Sequence, residues 1–178
     1  MTTALENNGM GILIDDRSTG SLTSTLGTVW RNVTDTVMGG ISAATLTPEV
    51  AQGKACLHMR GDVSLENNGG FVQASLDLAS NGFLDASAYE GIEIEVRGNG
   101  ESYNLHLRTA DTAIVWQSYR IGFVAGEQWQ TVRLPFAEFR PHRIDIPLDT
   151  RRLRRLGVVA IGRVMLADIC FSRVALYR

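Results

Sequence analysis

Three histidines and two cysteines are the residues of this 178-residue chain best suited to bind a transition metal or to act as nucleophiles. His58, His106 and His142 stand far apart, and neither Cys56 nor Cys170 belongs to a Cys-x-x-Cys pair. Closely spaced ligands of that kind typically mark zinc sites, so we expect no zinc site. Both cysteines lie in apolar, strand-like segments, which predicts reduced thiols packed in a sheet rather than a catalytic thiolate.

Carboxylates offer two further kinds of chemistry. Asp15, Asp16, Asp35 and Glu66 lie in loop-like segments, where calcium commonly finds oxygen ligands, so calcium is the one metal hypothesis that we keep. Two carboxylates facing each other across a cleft would suit a hydrolase, and Asp35 with Glu66 is the pair considered. The sequence contains neither a Gly-x-Ser-x-Gly motif nor a phosphate-binding glycine loop before a helix. We therefore predict a protein that is not an enzyme and needs no cofactor.

Two loops with a glycine pair form the most unusual clusters. Each places Gly-Gly directly before a strand-like segment. Glycine permits close approach of the backbone, and neighbouring Asp or Asn side chains can tie a loop by hydrogen bonds. The loops are interpreted either as constrained turns or as a rim that binds a ligand. The candidate binding residues in them are Trp30, Asp35, Met38, Gly39, Gly40, Ser42, Glu66, Asn67, Asn68, Gly69 and Gly70.

The elements that must position these loops are short strands. Apolar residues alternate with polar ones over residues 92–96 and 103–107, with Gly-Asn-Gly-Glu between the two segments. This pattern predicts a β-hairpin, and its polar face is a second candidate binding surface with Arg97, His106 and Arg108. The best helical segment is a single turn after Asp149. Other strands are predicted at residues 41–45, 55–60, 71–78, 115–123, 130–136, 157–161 and 169–177.

Many short strands without alternating helices predict an all-β fold, and a jelly-roll sandwich is the first choice. The length suits one domain, so residues 1–178 are assigned to a single sandwich whose residues 1–10 are expected to be flexible. With 44% hydrophobic and 20% charged residues, the composition excludes a disordered chain. No apolar run is long enough to span a bilayer and no export signal begins the chain, which predicts a cytoplasmic protein.

Four arginines are crowded into residues 151–155. They could meet an anionic partner, or they could form a solvated turn that pairs with acidic neighbours. Nucleic acid is excluded as a partner because the isoelectric point is near 5.9 and no aromatic residue separates the arginines.

The two glycine loops also carry a resemblance to a known family. Trp30 followed by Asp-x-Val-Met-Gly-Gly-x-Ser at residues 35–42 is similar to the signature of the complex I intermediate-associated protein family, the assembly factors of the respiratory NADH dehydrogenase. The segments at residues 66–71, 89–108 and 129–139 resemble three further blocks of that family in the same order. The resemblance covers about residues 30–177. It departs where the family often has an arginine, here in Val-Gln-Ala-Ser at residues 72–75, and at Asn99, where the family often has Asp.

The resemblance implies a galactose-binding-domain-like jelly roll and a non-catalytic assembly role. We therefore expect a binding module that holds a protein client, such as a respiratory-complex subunit, and that is peripheral to the inner membrane through this client. The chain lacks an arginine- and serine-rich leader, which is typical of a stand-alone bacterial member.

A carbohydrate-binding module is the alternative function. Such a module would stack a sugar on an exposed tryptophan and fix its hydroxyls with loop Asp, Asn or Arg side chains. Trp30 and Trp116 are the tryptophans expected to be exposed. A hydrolase with loop carboxylates is the remote alternative.

Overall fold

The computed structural model describes residues 11–178, and strands dominate this part of the chain. Three short 3-10 turns, at Asp35–Met38, Glu66–Asn68 and Phe136–Glu138, lie in the connections. The strands are β1 (Leu13–Asp15), β2 (Arg31–Thr34), β3 (Ala43–Ala51), β4 (Lys54–Val63), β5 (Phe71–Asp77), β6 (Gly91–Gly98), β7 (Ser102–Thr109), β8 (Ser118–Val124), β9 (Gln130–Pro135), β10 (Arg140–His142), β11 (Leu153–Ile161) and β12 (Met165–Tyr177).

The strands form two antiparallel six-stranded sheets that enclose one hydrophobic core. The first sheet has the order β3-β4-β12-β6-β9, and β1 also pairs with β12. The second sheet has the order β10-β8-β7-β11-β5-β2. Strands that are distant in sequence are therefore neighbours in both sheets. The predicted all-β jelly-roll sandwich is confirmed.

Alternation along the strands explains why the two sheets close on each other. Ile92 and Ile94 of β6 and Leu105 and Leu107 of β7 are fully buried, while the residues between them turn away from the core. Each such side chain contributes roughly 1.5–3 kcal/mol by leaving water. The predicted strands at residues 92–96 and 103–107 are thus confirmed, as are the seven other predicted segments, each of which overlaps a strand.

The predicted hairpin between those two segments is wrong. Strand β6 pairs with β12 and β9, whereas β7 pairs with β11 and β8, so the turn at residues 98–101 crosses from one sheet to the other. The amides of Gly98 and Gly100 donate to the carbonyls of Gly126 and Ala125, each at 2.7 Å. Alternation specifies which face of a strand is buried, and strands in opposite sheets bury their faces in the same core. The pattern therefore fits both arrangements.

Because β6 and β7 lie in different sheets, the second candidate binding surface is divided between those sheets. Arg97 lies on the first sheet, where its guanidinium donates to the carbonyl of Glu127 at 3.3 Å. His106 and Arg108 lie on the second sheet. The three residues cannot share one sheet face.

The helical turn predicted after Asp149 is also wrong, because strand β11 begins at Leu153. Leu153 and Leu156 are both fully buried, as expected, but an irregularity in the pairing of β11 with β7 brings them to one face. A bulge in a strand can thus imitate the spacing of a helical turn. The prediction of flexibility for residues 1–10 lies outside the described residues.

Candidate binding cleft

A well-defined cleft lies on the face of the second sheet that points away from the core. Its volume is about 470 Å³, within the range of common ligand sites. We name it the arginine cleft. It is lined by Arg31, Val33, Val37, Met38, Phe71, Gln73, Ser75, His106, Arg108, Val115, Trp116, Gln117, Ser118, Arg120, Arg155, Gly157, Val159 and Ile161.

The floor of the arginine cleft is polar because the alternation that buries one face of each strand turns the other face outward. Gly157 of β11 makes room for the Gln73 side chain, since a Cβ there would lie 2.1 Å from the Gln73 Oε1. Gln73 can therefore lie flat across the neighbouring strand. The sheet itself thus provides a flat floor with hydrogen-bonding groups.

Positive charge dominates this floor, since none of its described lining residues is acidic. Arg31 and Arg155 both pair with Asp77, at 3.2 and 2.8 Å. Arg108 and Arg120 form no ion pair with the described residues. Burial lowers the pKa of both guanidinium groups, but arginine stays charged in proteins. The arginine cleft therefore favours a ligand that carries negative charge or many acceptor oxygens.

His106 and Arg108 provide unused hydrogen-bonding capacity. The Nε2 of His106 and the Nε of Arg108 are buried and have no partner among the described residues. Burial, together with the positive charge of Arg120, lowers the pKa of His106 to about 3, so this imidazole is neutral at neutral pH. Buried polar atoms are nearly always hydrogen-bonded to protein or water, so these two atoms can bond to a water or to a ligand on the floor.

Exposed apolar side chains form the rim on two sides. Val37 and Met38 come from the 3-10 turn after β2, and Val115 and Trp116 come from the connection between β7 and β8. Their exposed fractions are 72%, 50%, 70% and 53%. A cluster of exposed apolar residues around a polar cleft is typical of a recognition surface. Arg108 supports the second side of the rim, because its Nη2 donates to the carbonyl of Ile114 at 3.2 Å.

Asp35 in the first glycine loop is fully buried. Its carboxylate accepts hydrogen bonds from the amides of Ser42 at 2.9 Å, Gly70 at 2.6 Å and Phe71 at 3.3 Å, and from the Ser42 hydroxyl. Burial opposes its ionisation, but these hydrogen bonds outweigh burial and lower the pKa of Asp35. Asp35 therefore joins the two glycine loops from within.

The glycine pairs are explained by this carboxylate. A Cβ at Gly40 would lie 2.5 Å from the Asp35 Cγ, and a Cβ at Gly69 would lie 2.5 Å from its Oδ2. No side chain fits at either position. Of the two interpretations of these loops, the structure supports constrained turns for the buried members and a rim for Val37 and Met38.

The predicted binding residues are thus divided by the structure. Met38, His106 and Arg108 line the arginine cleft. Four residues that belong to the Asp35 contact network are buried and cannot contact a ligand unless the loops open. They are Asp35, Gly40, Ser42 and Gly70. Gly69 packs against the same carboxylate but is partly exposed. Four others are outside the lining and their binding role stays a prediction. They are Gly39, Glu66, Asn67 and Asn68.

The expectation that Trp30 is exposed is wrong. Trp30 is 1% exposed, its ring lies 4.9 Å from that of Phe171, and its Nε1 donates to Asp15 at 2.8 Å. An aromatic residue in a loop signature looks the same in sequence whether it packs inward or outward. Trp129 is half-buried under Lys54, so Trp116 alone offers an open indole face.

Three of the four loop carboxylates considered for calcium or hydrolysis are held by other groups. Asp15 is buried and pairs with Arg17, and Asp16 accepts hydrogen bonds from Ser18 and Thr25. Asp35 is held by the two glycine loops, whereas the Glu66 side chain is exposed. The sequence offered no signal for the contacts of Asp35, because its partners include backbone amides that are remote in the chain.

The arginines of residues 151–155 follow the solvated-turn interpretation. Arg151 and Arg152 pair with Asp149 at 3.1 and 2.8 Å, and Arg155 pairs with Asp77. Hydrogen bonds from Arg151 and Arg152 lower the pKa of Asp149 to about 2. Three of the four arginines are therefore held in ion pairs with Asp149 or Asp77.

Most of the cleft residues were not predicted. Gln73, Ser75 and Arg120 were visible only as the polar positions of alternating strands. To place them together requires the order of the strands, which a single sequence does not supply. Val37 gave a signal only as part of the signature at residues 35–42, and Val115 only as the first residue of the strand predicted at residues 115–123.

Comparison with known proteins decides the family. The family model of complex I intermediate-associated protein 30 matches residues 15–168, most of the chain. The chain belongs to the complex I intermediate-associated protein 30 family. The signature loops of this family member are therefore the loops that Asp35 joins and that carry Val37 and Met38. A search of the curated proteins finds no matching relative.

Solved structures similar to this family member show the fold. A family 11 carbohydrate-binding module of a cellulosomal cellulase from Clostridium thermocellum has a TM-score of 0.73 at 12% identity, over 96% of both chains. The same kind of module from that organism, in complex with a β-1,3-1,4-mixed-linked tetrasaccharide, has a TM-score of 0.71 at 12% identity over 97% of both chains. A family 30 carbohydrate-binding module has a TM-score of 0.57 at 16% identity, over 76% of this chain and 75% of that one. Among the described residues, no helix is long and apolar enough to cross a membrane.

Proposed function

We propose that this family member is a non-catalytic binding module that holds a protein client in the arginine cleft and acts as an assembly chaperone. The observation that carries the proposal is the exposed apolar rim around a floor with two arginines, Arg108 and Arg120, that have no acidic partner in the described part of the chain. A segment with an apolar side chain beside a carboxylate would match both features, since it could bury the first against Trp116 and pair the second with Arg108 or Arg120.

The name of the family supports a client from the respiratory NADH dehydrogenase, or complex I, as an assembly intermediate. The client would then bring this family member, a cytoplasmic protein, to the inner membrane. The carboxylate-free lining of the cleft supports a role without catalysis, because it offers no general acid or base beyond a neutral His106.

The test is purification of the tagged protein from its native host with identification of what stays bound. We expect subunits of the NADH dehydrogenase, and we expect Trp116→Ala to reduce their recovery strongly. An aromatic anchor of this kind typically contributes about 2 kcal/mol or more, or roughly a 30-fold change in affinity. Trp129→Ala, a change of the same kind outside the cleft lining, is the control for nonspecific loss. Recovery that is equal in Trp116→Ala and the wild type would refute the cleft as the client site.

Carbohydrate binding is the second candidate, and the exposed indole of Trp116 favours it. This ring stands beside a floor of arginine, glutamine and serine side chains, which can bond to sugar hydroxyls. A glycan screen by calorimetry tests it. Saturable binding that Trp116→Ala abolishes and Trp129→Ala retains would support a sugar ligand, and no binding of any glycan would count against this second candidate.

A further inference from the structure

A cluster of metal-ligating side chains lies on the outer face of the first sheet, the opposite side of the molecule from the arginine cleft. Three neighbouring strands supply it: Glu49 from β3, His58 from β4 and Cys170 from β12. In the register of β4 with β12, Cys170 lies opposite His58. In the register of β3 with β4, Glu49 lies opposite Cys56, which is two residues from His58 on the same face. Long-range pairing therefore gathers residues that the sequence keeps apart.

The ligand atoms of this cluster are close enough to share one ion. One ligand atom each of Glu49, His58 and Cys170 lies within 4.8 Å of the other two. The Nδ1 of His58 is 2.9 Å from the Oε2 of Glu49. Cys170 is 5% exposed, whereas the Glu49 side chain is 43% exposed. Solvent can therefore reach the cluster from the side of Glu49, while the thiol is held in the sheet.

The surroundings of His58 are those of a metal ligand. Its Nε2 lies 2.6 Å from the Oδ1 of Asp168, on the side of the ring away from Nδ1. Histidines that bind metals through one ring nitrogen usually donate the other to a carboxylate, which fixes the tautomer and the ring orientation. Asp168 is placed to do this while Nδ1 faces Glu49.

We propose that Glu49, His58 and Cys170 form a zinc site, with Asp168 as the carboxylate that orients His58. Sulfur, imidazole nitrogen and carboxylate oxygen are the three ligand types that zinc uses in proteins, and a thiolate selects against calcium and magnesium. On binding, the ion takes the place of two protons, the one on the Cys170 thiol and the one in the hydrogen bond between the His58 Nδ1 and Glu49, and both protons pass to the solvent. The ion ties the edge strand β3 to β4 and β12.

The site is independent of the client proposal and is tested on the whole protein in vitro. Protein that has been reduced and stripped with a chelator is titrated with zinc chloride by calorimetry, and separately with cobalt(II) followed by absorption. We expect one zinc ion per chain, a higher Tm with zinc, and a thiolate-to-cobalt charge-transfer band in the near ultraviolet. We expect Cys170→Ser to abolish the band and Asp168→Asn to weaken zinc binding by about 10- to 100-fold.

Three further variants extend the test. The Glu49 side chain is 43% exposed, so Glu49→Gln alters a ligand without disturbing the core and should weaken zinc binding, as should His58→Gln. His142→Gln, on the second sheet, is the matched control for His58→Gln and should leave binding unchanged. No zinc binding by the reduced protein, or a charge-transfer band that persists in Cys170→Ser, would overturn the proposal.

Discussion

Asp35 is the residue on which the shape of the signature loops depends. Its carboxylate is the acceptor for three backbone amides and one hydroxyl from two loops that are about 30 residues apart. A buried donor that loses its acceptor typically costs 1–3 kcal/mol. One side chain therefore links the stability of the fold to the position of Val37 and Met38 at the cleft.

Replacing Asp35 by Ala is expected to lower the free energy of unfolding by about 3 kcal/mol or more, because several buried donors lose their acceptor together. Urea denaturation measures the change. Asp145→Ala is the control, since Asp145 is exposed and forms no hydrogen bond or ion pair with the described residues. Unchanged stability of Asp35→Ala would mean that the carboxylate does not join the loops.

His106 predicts a particular dependence of stability on pH. Its pKa is about 3 in the folded protein and about 6.5 when unfolded, so the unfolded chain binds the extra proton first. Stability is therefore fully present above the unfolded pKa and falls as the pH drops from about 6.5 towards 3. The slope from this one group approaches about 1.4 kcal/mol per pH unit.

The measurement is urea denaturation of the wild type and His106→Gln at pH 7 and at pH 4.5. Glutamine does not titrate, so the variant should lose less stability on acidification than the wild type. Equal losses in the two proteins would show that His106 can be protonated where it stands.

At the scale of the elements, the strands were predictable and their partners were not. Residues 92–96 and 103–107 alternate because each strand buries one face, and that information is local. Whether β6 pairs with β7 or with β12 depends on contacts between segments that are far apart in the chain. The arginine cleft could not be predicted for the same reason. It is formed by the polar faces of neighbouring strands, and the sequence alone does not give the order of those strands in the sheet.

The sequence marked the glycine loops as unusual, but it did not show why they need glycine. Their spacing and resemblance marked residues 35–42 and 66–71 as unusual. Gly40 and Gly69 both pack against the buried Asp35 carboxylate, and this contact arises only in the folded structure. Asp35 was predicted to belong to a binding rim, and its carboxylate lies inside the fold. A polar loop residue can face the solvent or the fold, and the sequence does not show which.

Gly40→Ala is expected to displace the first glycine loop, because its Cβ would lie 2.5 Å from the Asp35 carboxylate. Overpacking of this kind typically costs 1–3 kcal/mol, and the free energy of unfolding from urea denaturation should fall by about that amount. Gly126→Ala is the matched control, since its Cβ would have no heavy atom closer than 4.0 Å. Equal stability of the two variants would contradict the close packing of this loop.

At the scale of the whole molecule, the two sheets present different chemistry to the solvent. The second sheet carries the arginine cleft with its apolar rim, and the first sheet carries the cluster of Glu49, His58 and Cys170. The core between them leaves both outer faces free for recognition. A sandwich of two sheets is a rigid support on which separate sites can lie on opposite faces.

The most direct test of the account replaces Val115 by a photo-crosslinking amino acid in the native host and identifies the crosslinked partner by mass spectrometry. Val164 is the matched control position, because it is 71% exposed against 70% for Val115 but lies outside the arginine cleft. The account predicts a crosslink to a subunit of the NADH dehydrogenase from position 115 and none from position 164. A crosslink to that subunit from position 164 alone, or no protein crosslink from position 115, would contradict the claim that the arginine cleft holds the client.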